Sequence, residues 1–179
     1  MIVYGHLPSG VALRPLTTHQ DARGNLTELF RAGTSEFAVP LQWNFVRTNP
    51  NTLRGVHVHR DHDDYLIVLS GMMRVGLHDL RAASPTKGVS VLVDISGEKL
   101  QSIFVPRGVL HGFYFAGATD YVYGLTNCWT PADDLGCKWD DPALGLPWGA
   151  VAPLLSQRDA NALSLGQLKE HMKRNGGEM

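Results

Sequence analysis

Apolar and polar residues alternate along most of this chain in short runs broken by turn residues, the signature of strands rather than helices. Residues 10–16 (GVALRPL) read as a first strand, Asp21-Ala22-Arg23-Gly24-Asn25 as a turn, and residues 26–30 as a half-buried strand. Residues 41–47 (LQWNFVR) alternate again before Asn49-Pro50-Asn51 breaks the chain. The apolar run 65–70 ends at Gly71, and residues 72–80 read as its hairpin partner. Residues 82–88 form a loop, 89–93 and 102–105 are strands, and 108–114 with 120–125 read as a second hairpin. Residues 130–150, rich in Pro, Gly, Asp and Trp, predict irregular backbone. Only the end reads as helical: Ser156 or Asp159 caps a short turn, and Ser164 caps a helix over residues 165–173. Short strands at this spacing predict an all-β jelly roll with a short C-terminal helical segment, one domain over residues 1–179.

The stretch TLRGVHVHRDHDDYLIVLSG, residues 52–71, carries the densest chemistry, with Arg54, His57, His59, His62 and three aspartates ahead of an apolar run. Val56 and Val58 flank His57, so the alternation sets His57 and His59 on one strand face. Paired imidazoles there ligate a metal, divide base and binding roles, or form only a polar surface. His111, in PRGVLHGF, adds a further histidine on an apolar, aromatic strand.

Composition narrows the function classes. A net charge of -1 and a pI near 6.7 give no electrostatic case for nucleic acid or an anionic membrane. No apolar run has the length of a membrane span. The opening MIVYGHLPSG lacks the basic-then-apolar order of a signal peptide, and two cysteines make no disulfide framework. A cytoplasmic enzyme or binding protein is the expectation.

The order of the motifs resembles the dTDP-4-dehydrorhamnose 3,5-epimerase family, which has the cupin jelly-roll fold, a double-stranded β-helix. The resemblance covers roughly residues 10–160 and rests on Asp21-x-Arg23-Gly24-Asn25-Leu26-x-Glu28, Gln42-Trp43-Asn44, Leu53-Arg54-Gly55-Val56-His57 and Asp79-Leu80-Arg81 with Ser84-Pro85-Thr86-x-Gly88. It continues through Pro106-x-Gly108-x-x-His111-Gly112-Phe113, Tyr123, Trp139-Asp140-Asp141-Pro142 and Leu155-Ser156-x-x-Asp159. Trp139-Asp140-Asp141-Pro142 itself reads as a structural turn.

The resemblance implies an epimerase that removes a proton beside the C4 ketone of a nucleotide-linked 4-keto-6-deoxyhexose, at C3, C5 or both. His57 matches the family base, Asp159 the carboxylate that holds it, and Tyr123 the acid on the opposite face. Read alone, Tyr123 is a core or surface aromatic and Asp159 a helix cap. Arg23, Glu28, Gln42, Asn44 and Arg54 match positions that hold the nucleotide, its diphosphate and the sugar, and His111 matches a site histidine. The family also implies a homodimer, with the apolar N-terminal strand (Ile2, Val3, Tyr4, Val11, Leu13) added to the partner's sheet.

Three positions depart from the family. Asp64 stands where a lysine is usual, Trp129 where a tyrosine is usual, and His59 where a glutamine is usual. With no lysine, the enolate oxygen must be stabilised by His59, His111 or backbone N–H groups. The departures also bring the chain close to the ligand pattern of metal cupins, with His57, His59, Asp64 and His111 as a set for one divalent transition metal. His57 serves as base or as ligand, not both. The reading adopted is the base, with no cofactor. The alternatives are a 3,4-ketoisomerase of nucleotide sugars, a metal-dependent cupin enzyme, and a non-catalytic sugar-nucleotide binder.

Overall fold

The structure, a computed structural model, describes residues 5–33 and 35–174 and the backbone of Ile2 and Val3; Tyr4 lies outside the described residues. In chain order the strands are β1 (Ile2–Val3), β2 (Ala12–Pro15), β3 (Thr18–Asp21), β4 (Gly24–Thr27), β5 (Gln42–Thr48), β6 (Thr52–Val58), β7 (Asp64–Ser70), β8 (Met72–Asp79), β9 (Ser90–Ser96), β10 (Gln101–Val105), β11 (Val109–Phe115), β12 (Thr119–Leu125) and β13 (Leu135–Gly136). Helices α1 (Gln157–Ala160) and α2 (Leu165–Arg174) follow.

One sheet has the order β1-β9-β8-β11-β6-β13 and the other β2-β10-β7-β12-β5, while β3 and β4 pair only with each other. From β5 to β8 and from β10 to β12, each successive strand switches sheets, which makes the sandwich a jelly roll. Leu66, Val68, Val75, Leu77, Ile103 and Phe115 interdigitate in the core between the sheets. A second apolar layer lies outside the first sheet, where Leu53, Val56 and Val58 pack against Trp148, Leu165 and Leu168 from the C-terminal segment. Trp148 sits flat on Gly76, where an added Cβ would meet its ring at 2.3 Å.

Both expected hairpins are corrected by this topology. β7 pairs with β10 and β12, whereas β8 pairs with β9 and β11. Gly71, at φ +78°, carries the chain from one sheet to the other, and an added Cβ there would lie 2.5 Å from the Ala118 carbonyl oxygen. β11 and β12 likewise belong to opposite sheets. Residues 26–30 are not a half-buried strand: β4 ends at Thr27, and Leu26 is 66% exposed. The irregular stretch 130–150 holds two short 3₁₀ turns and β13. In the second turn Asp141 caps Pro142–Leu144 through Ala143 N, and its Oδ2 accepts from Leu165 N, a structural use of the Trp139–Pro142 motif. Ser156 Oγ accepts from Asp159 N at the start of α1. Ser164 and Gln167 cap α2 reciprocally, a capping box. Within the chain, β1 pairs with β9 and β2 with β10.

Candidate active site

A cavity of about 470 Å³ opens between the two sheets. Arg54 and His57 of β6 line one wall, with His59, His62, Asp64 and His111 behind them, and Tyr121 and Tyr123 of β12 face them from the other sheet. Asp134, Arg158 and Asp159 complete the rim.

A bulge in β6 makes this wall possible. Leu53, Val56 and Val58 pack in the outer apolar layer, yet both Arg54 and His57 face the cavity, which strict alternation forbids. The register against β11 slips between His111 and Gly112, so that Val56, between Gly55 and His57, is the extra residue. Gly55 adopts φ +107°, and an added Cβ would meet Gly112 Cα at 2.9 Å, so only glycine fits.

His57 is held from behind. Its Nε2 lies 2.8 Å from Asp159 Oδ1, and Asp159 Oδ2 accepts from Gly55 N at 3.3 Å. Burial alone would raise the Asp159 carboxyl, but hydrogen bonding and charge from His57 outweigh it and hold it at about 2. The carboxylate therefore accepts from Nε2–H, which places the lone pair of the neutral ring on Nδ1. Asp159 reaches this position because Leu154 exchanges backbone bonds with Asn51 and Leu53 alongside β6. Arg158 pairs with Asp134 and Asp159 and lays its guanidinium against both imidazole nitrogens, Nη2 contacting Nε2 and standing 3.2 Å from Nδ1.

Deeper in the wall, His59, His62, Asp64 and His111 are all buried. The facing atoms are Asp64 Oδ2 and three Nε2 atoms, at 4.0 Å for His59, 3.9 Å for His62 and 3.6 Å for His111. The ligand atoms of His59, His62 and Asp64 all lie within 4.8 Å of one another. Burial pushes His59 and His111 down to about 4 and Asp64 up to about 6. His57, turned to Asp159, is not in this group, so the grouping of potential ligands differs from the His57-containing set read from the sequence. Asp133 frames the loop that carries His59 and His62, accepting from Arg60 N at 2.6 Å and from Asp61 N.

The remaining sequence candidates divide. Trp129 lines the cavity, and its N donates to Gln42 Oε1 at 2.9 Å. Asn44 is registered against Tyr123 and accepts from Gln42 Nε2 at 3.3 Å, so both β5 residues stand beside the cavity. Arg23 and Glu28 do not reach it: Arg23 pairs with Asp21 and Glu28 with Arg31 on the exposed β3–β4 arm. The sequence reading passed over Tyr121, His62 as a potential ligand, Asp133, Asp134 and Arg158. His62, three residues after His59, and Arg158, adjacent to Asp159, were signalled only by proximity.

Comparison with known proteins agrees with this geometry. The sequence profile of the family described as dTDP-4-dehydrorhamnose 3,5-epimerase matches residues 7–167. The dTDP-4-dehydrorhamnose 3,5-epimerase of Pseudomonas aeruginosa is 32% identical over 149 residues, 78% of this chain and 82% of that protein. That of Salmonella typhimurium is 29% identical over 93% of this chain and 96% of its own. Among solved structures, the Legionella pneumophila 3,5-epimerase in complex with dTDP-4-keto-L-rhamnose is 29% identical, with a TM-score of 0.82 over 92% of this chain and 93% of its own. The 3'-monoepimerase ChmJ of Streptomyces bikiniensis with dTDP-quinovose is 27% identical, also at 0.82, over 92% and 88%.

Proposed function

Since this chain belongs to the dTDP-4-dehydrorhamnose 3,5-epimerase family, we propose that it is an isomerase inverting C3, C5 or both in a dTDP-linked 4-keto-6-deoxyhexose. The observation that carries the reading is His57 on one sheet, held by Asp159 of α1, facing Tyr123 on the other sheet. A proton beside a ketone is labile enough for a well-placed base once the enolate is stabilised. With Nε2–H donated to Asp159, His57 Nδ1 is the atom left to take the C–H proton once the Arg158 guanidinium beside it gives way to substrate, and Asp159 stabilises the imidazolium that forms. Burial raises the Tyr123 phenol above its ordinary value, so at neutral pH it holds a proton to return from the opposite face. Arg54 on the wall supplies a planar, permanently charged group suited to the diphosphate.

Tyr123→Phe separates the two half-reactions. Exchange of the substrate C–H with D₂O should persist, while inversion falls by about 10²–10⁴-fold, the ordinary worth of a general acid. Proton NMR of the sugar follows both together, and undiminished inversion would assign the acid elsewhere.

Assembly is part of the same proposal. Arg23 and Glu28 project on an arm whose two strands, among the described residues, pair only with each other. A homodimer in which that arm closes the partner's cavity gives them a nucleotide to hold. Within a cytoplasmic pool of sugar nucleotides, such a dimer should run at twice the chain mass in light scattering. Arg23→Ala should then weaken dTDP binding by calorimetry. A monomer whose dTDP affinity ignores Arg23 would remove this part of the reading.

A further inference from the structure

The buried cluster behind His57 has an arrangement of protons that no hydrogen-bond network explains. His59 Nδ1 stands 2.9 Å from the Asp133 carbonyl oxygen, and His111 Nδ1 stands 3.0 Å from that of Val109. A carbonyl only accepts, so in both rings Nδ1 carries the proton and Nε2 presents a lone pair. Both of those lone pairs point at Asp64 Oδ2, itself an acceptor. His62 is 1% exposed, and neither of its ring nitrogens makes a hydrogen bond. Its Nδ1 is 2.9 Å from Asp133 Oδ2 but is not aligned for one, and its Nε2 faces Asp64 Oδ2 at 3.9 Å. Acceptors therefore converge on one point inside the protein, which is costly unless something electron-poor lies between them.

We propose that His59, His62 and Asp64, with His111 as the fourth ligand, bind one divalent transition-metal ion through the three Nε2 atoms and the Asp64 carboxylate. Ligands about 2.0–2.2 Å from a tetrahedral ion lie roughly 3.3–3.6 Å apart; the three imidazoles already stand 3.6, 3.9 and 4.0 Å from Asp64 Oδ2, and the ligand atoms of His59, His62 and Asp64 lie within 4.8 Å of one another, so His111 is the ligand that must move in. Three imidazoles and one carboxylate suit zinc, iron or nickel better than calcium or magnesium. The outer contacts are those of a metal site: each of His59 and His111 gives its other nitrogen to a carbonyl, and Asp133 stands behind His62. The proposal differs from both sequence readings, the cofactor-free one and the set that included His57. It leaves His57 free to act as base. With all four tetrahedral positions taken by protein, an ion there would be structural and would fix the wall behind His57.

Metal binding alone tests this, independently of any epimerase activity. Chelator-stripped protein titrated with Zn²⁺ should take up one ion per chain by calorimetry. His62→Asn, His59→Asn and Asp64→Asn should each weaken uptake by at least about 10²-fold, and Asp133→Asn, which only positions ligands, by about 10–100-fold. His57→Asn should bind Zn²⁺ as the parent does. Should a ligand variant fail to fold, X-ray absorption of the Zn²⁺-loaded parent decides, with three imidazole scatterers expected. The proposal is overturned if the parent takes up no stoichiometric ion, if His57→Asn abolishes uptake while His62→Asn leaves it intact, or if fewer than three imidazoles surround the ion.

Discussion

Replacing His57 by Asn should slow deuterium exchange beside the ketone of a dTDP-4-keto-6-deoxyhexose by about 10²–10⁴-fold, the contribution of a positioned general base. The amide keeps roughly the shape of the imidazole but cannot take a proton at neutral pH. Asp159→Asn should fall in the same range by another route. The imidazole stays, but the anion that fixes its Nε2–H and balances its developing charge is gone. Affinity for dTDP, read by calorimetry, should change little in either variant, because neither side chain is assigned to the nucleotide. Together the two readouts separate lost chemistry from lost binding. Exchange at the parental rate in His57→Asn would end the assignment of the base.

The second large effect concerns stability, far from the cavity. Asp79 is 1% exposed, and its carboxylate accepts from Arg81, Ser84 and Thr86 at 2.6 to 2.9 Å. Asp79→Ala removes the acceptor that all three share, leaving Arg81 to donate to Ser9 O and the two hydroxyls only to each other, and should cost about 3–5 kcal/mol in urea unfolding, the range for breaking a buried charge pair. A loss under about 1 kcal/mol would mean that water replaces the carboxylate at no cost. The pH dependence has a definite sign. Burial would raise this carboxyl, but the hydrogen bonds from Arg81, Ser84 and Thr86 outweigh it and hold it far below the ordinary range. A depressed folded value gives stability that is full above the unfolded value near pH 4 and drains away as pH falls below it. The parent's acid limb below about pH 4 should therefore be steeper than that of Asp79→Ala.

What the sequence made legible follows from what alternation encodes. The period of two in residues 41–47 identified β5 and its inward face, with Gln42 and Asn44 turned in and Trp43 and Phe45 left exposed. Alternation says nothing about which strand lies alongside. At Gly71 a tight turn between two apolar runs looks the same locally whether the chain folds back in one sheet or crosses to the other, and both expected hairpins failed for that reason. The His57–Asp159 contact was legible only through motif order, since nothing local links two residues 102 positions apart. His62 was passed over because it sits in a loop with no periodicity, and its burial depends on Asp133 closing over that loop from far along the chain. The bulge at Val56 was hidden for the opposite reason, since Leu53 to Val58 alternates well enough to read as an unbroken strand.

The outer apolar layer sets the order in which this enzyme acquires its parts as it is made. Every strand of both sheets except β13 lies before residue 126 in the chain, and β6 with the proposed base is among them. The Trp148 that seals Gly76, and after it the Asp159 that orients the base, come last. A nascent chain paused before Asp159 has a histidine in the wall of a half-built sandwich with no carboxylate behind it. Local pairings form first and distant ones wait for the chain that closes them. On the proposed roles of His57 and Asp159, the full site is complete only when the C-terminal segment has wrapped the sheet.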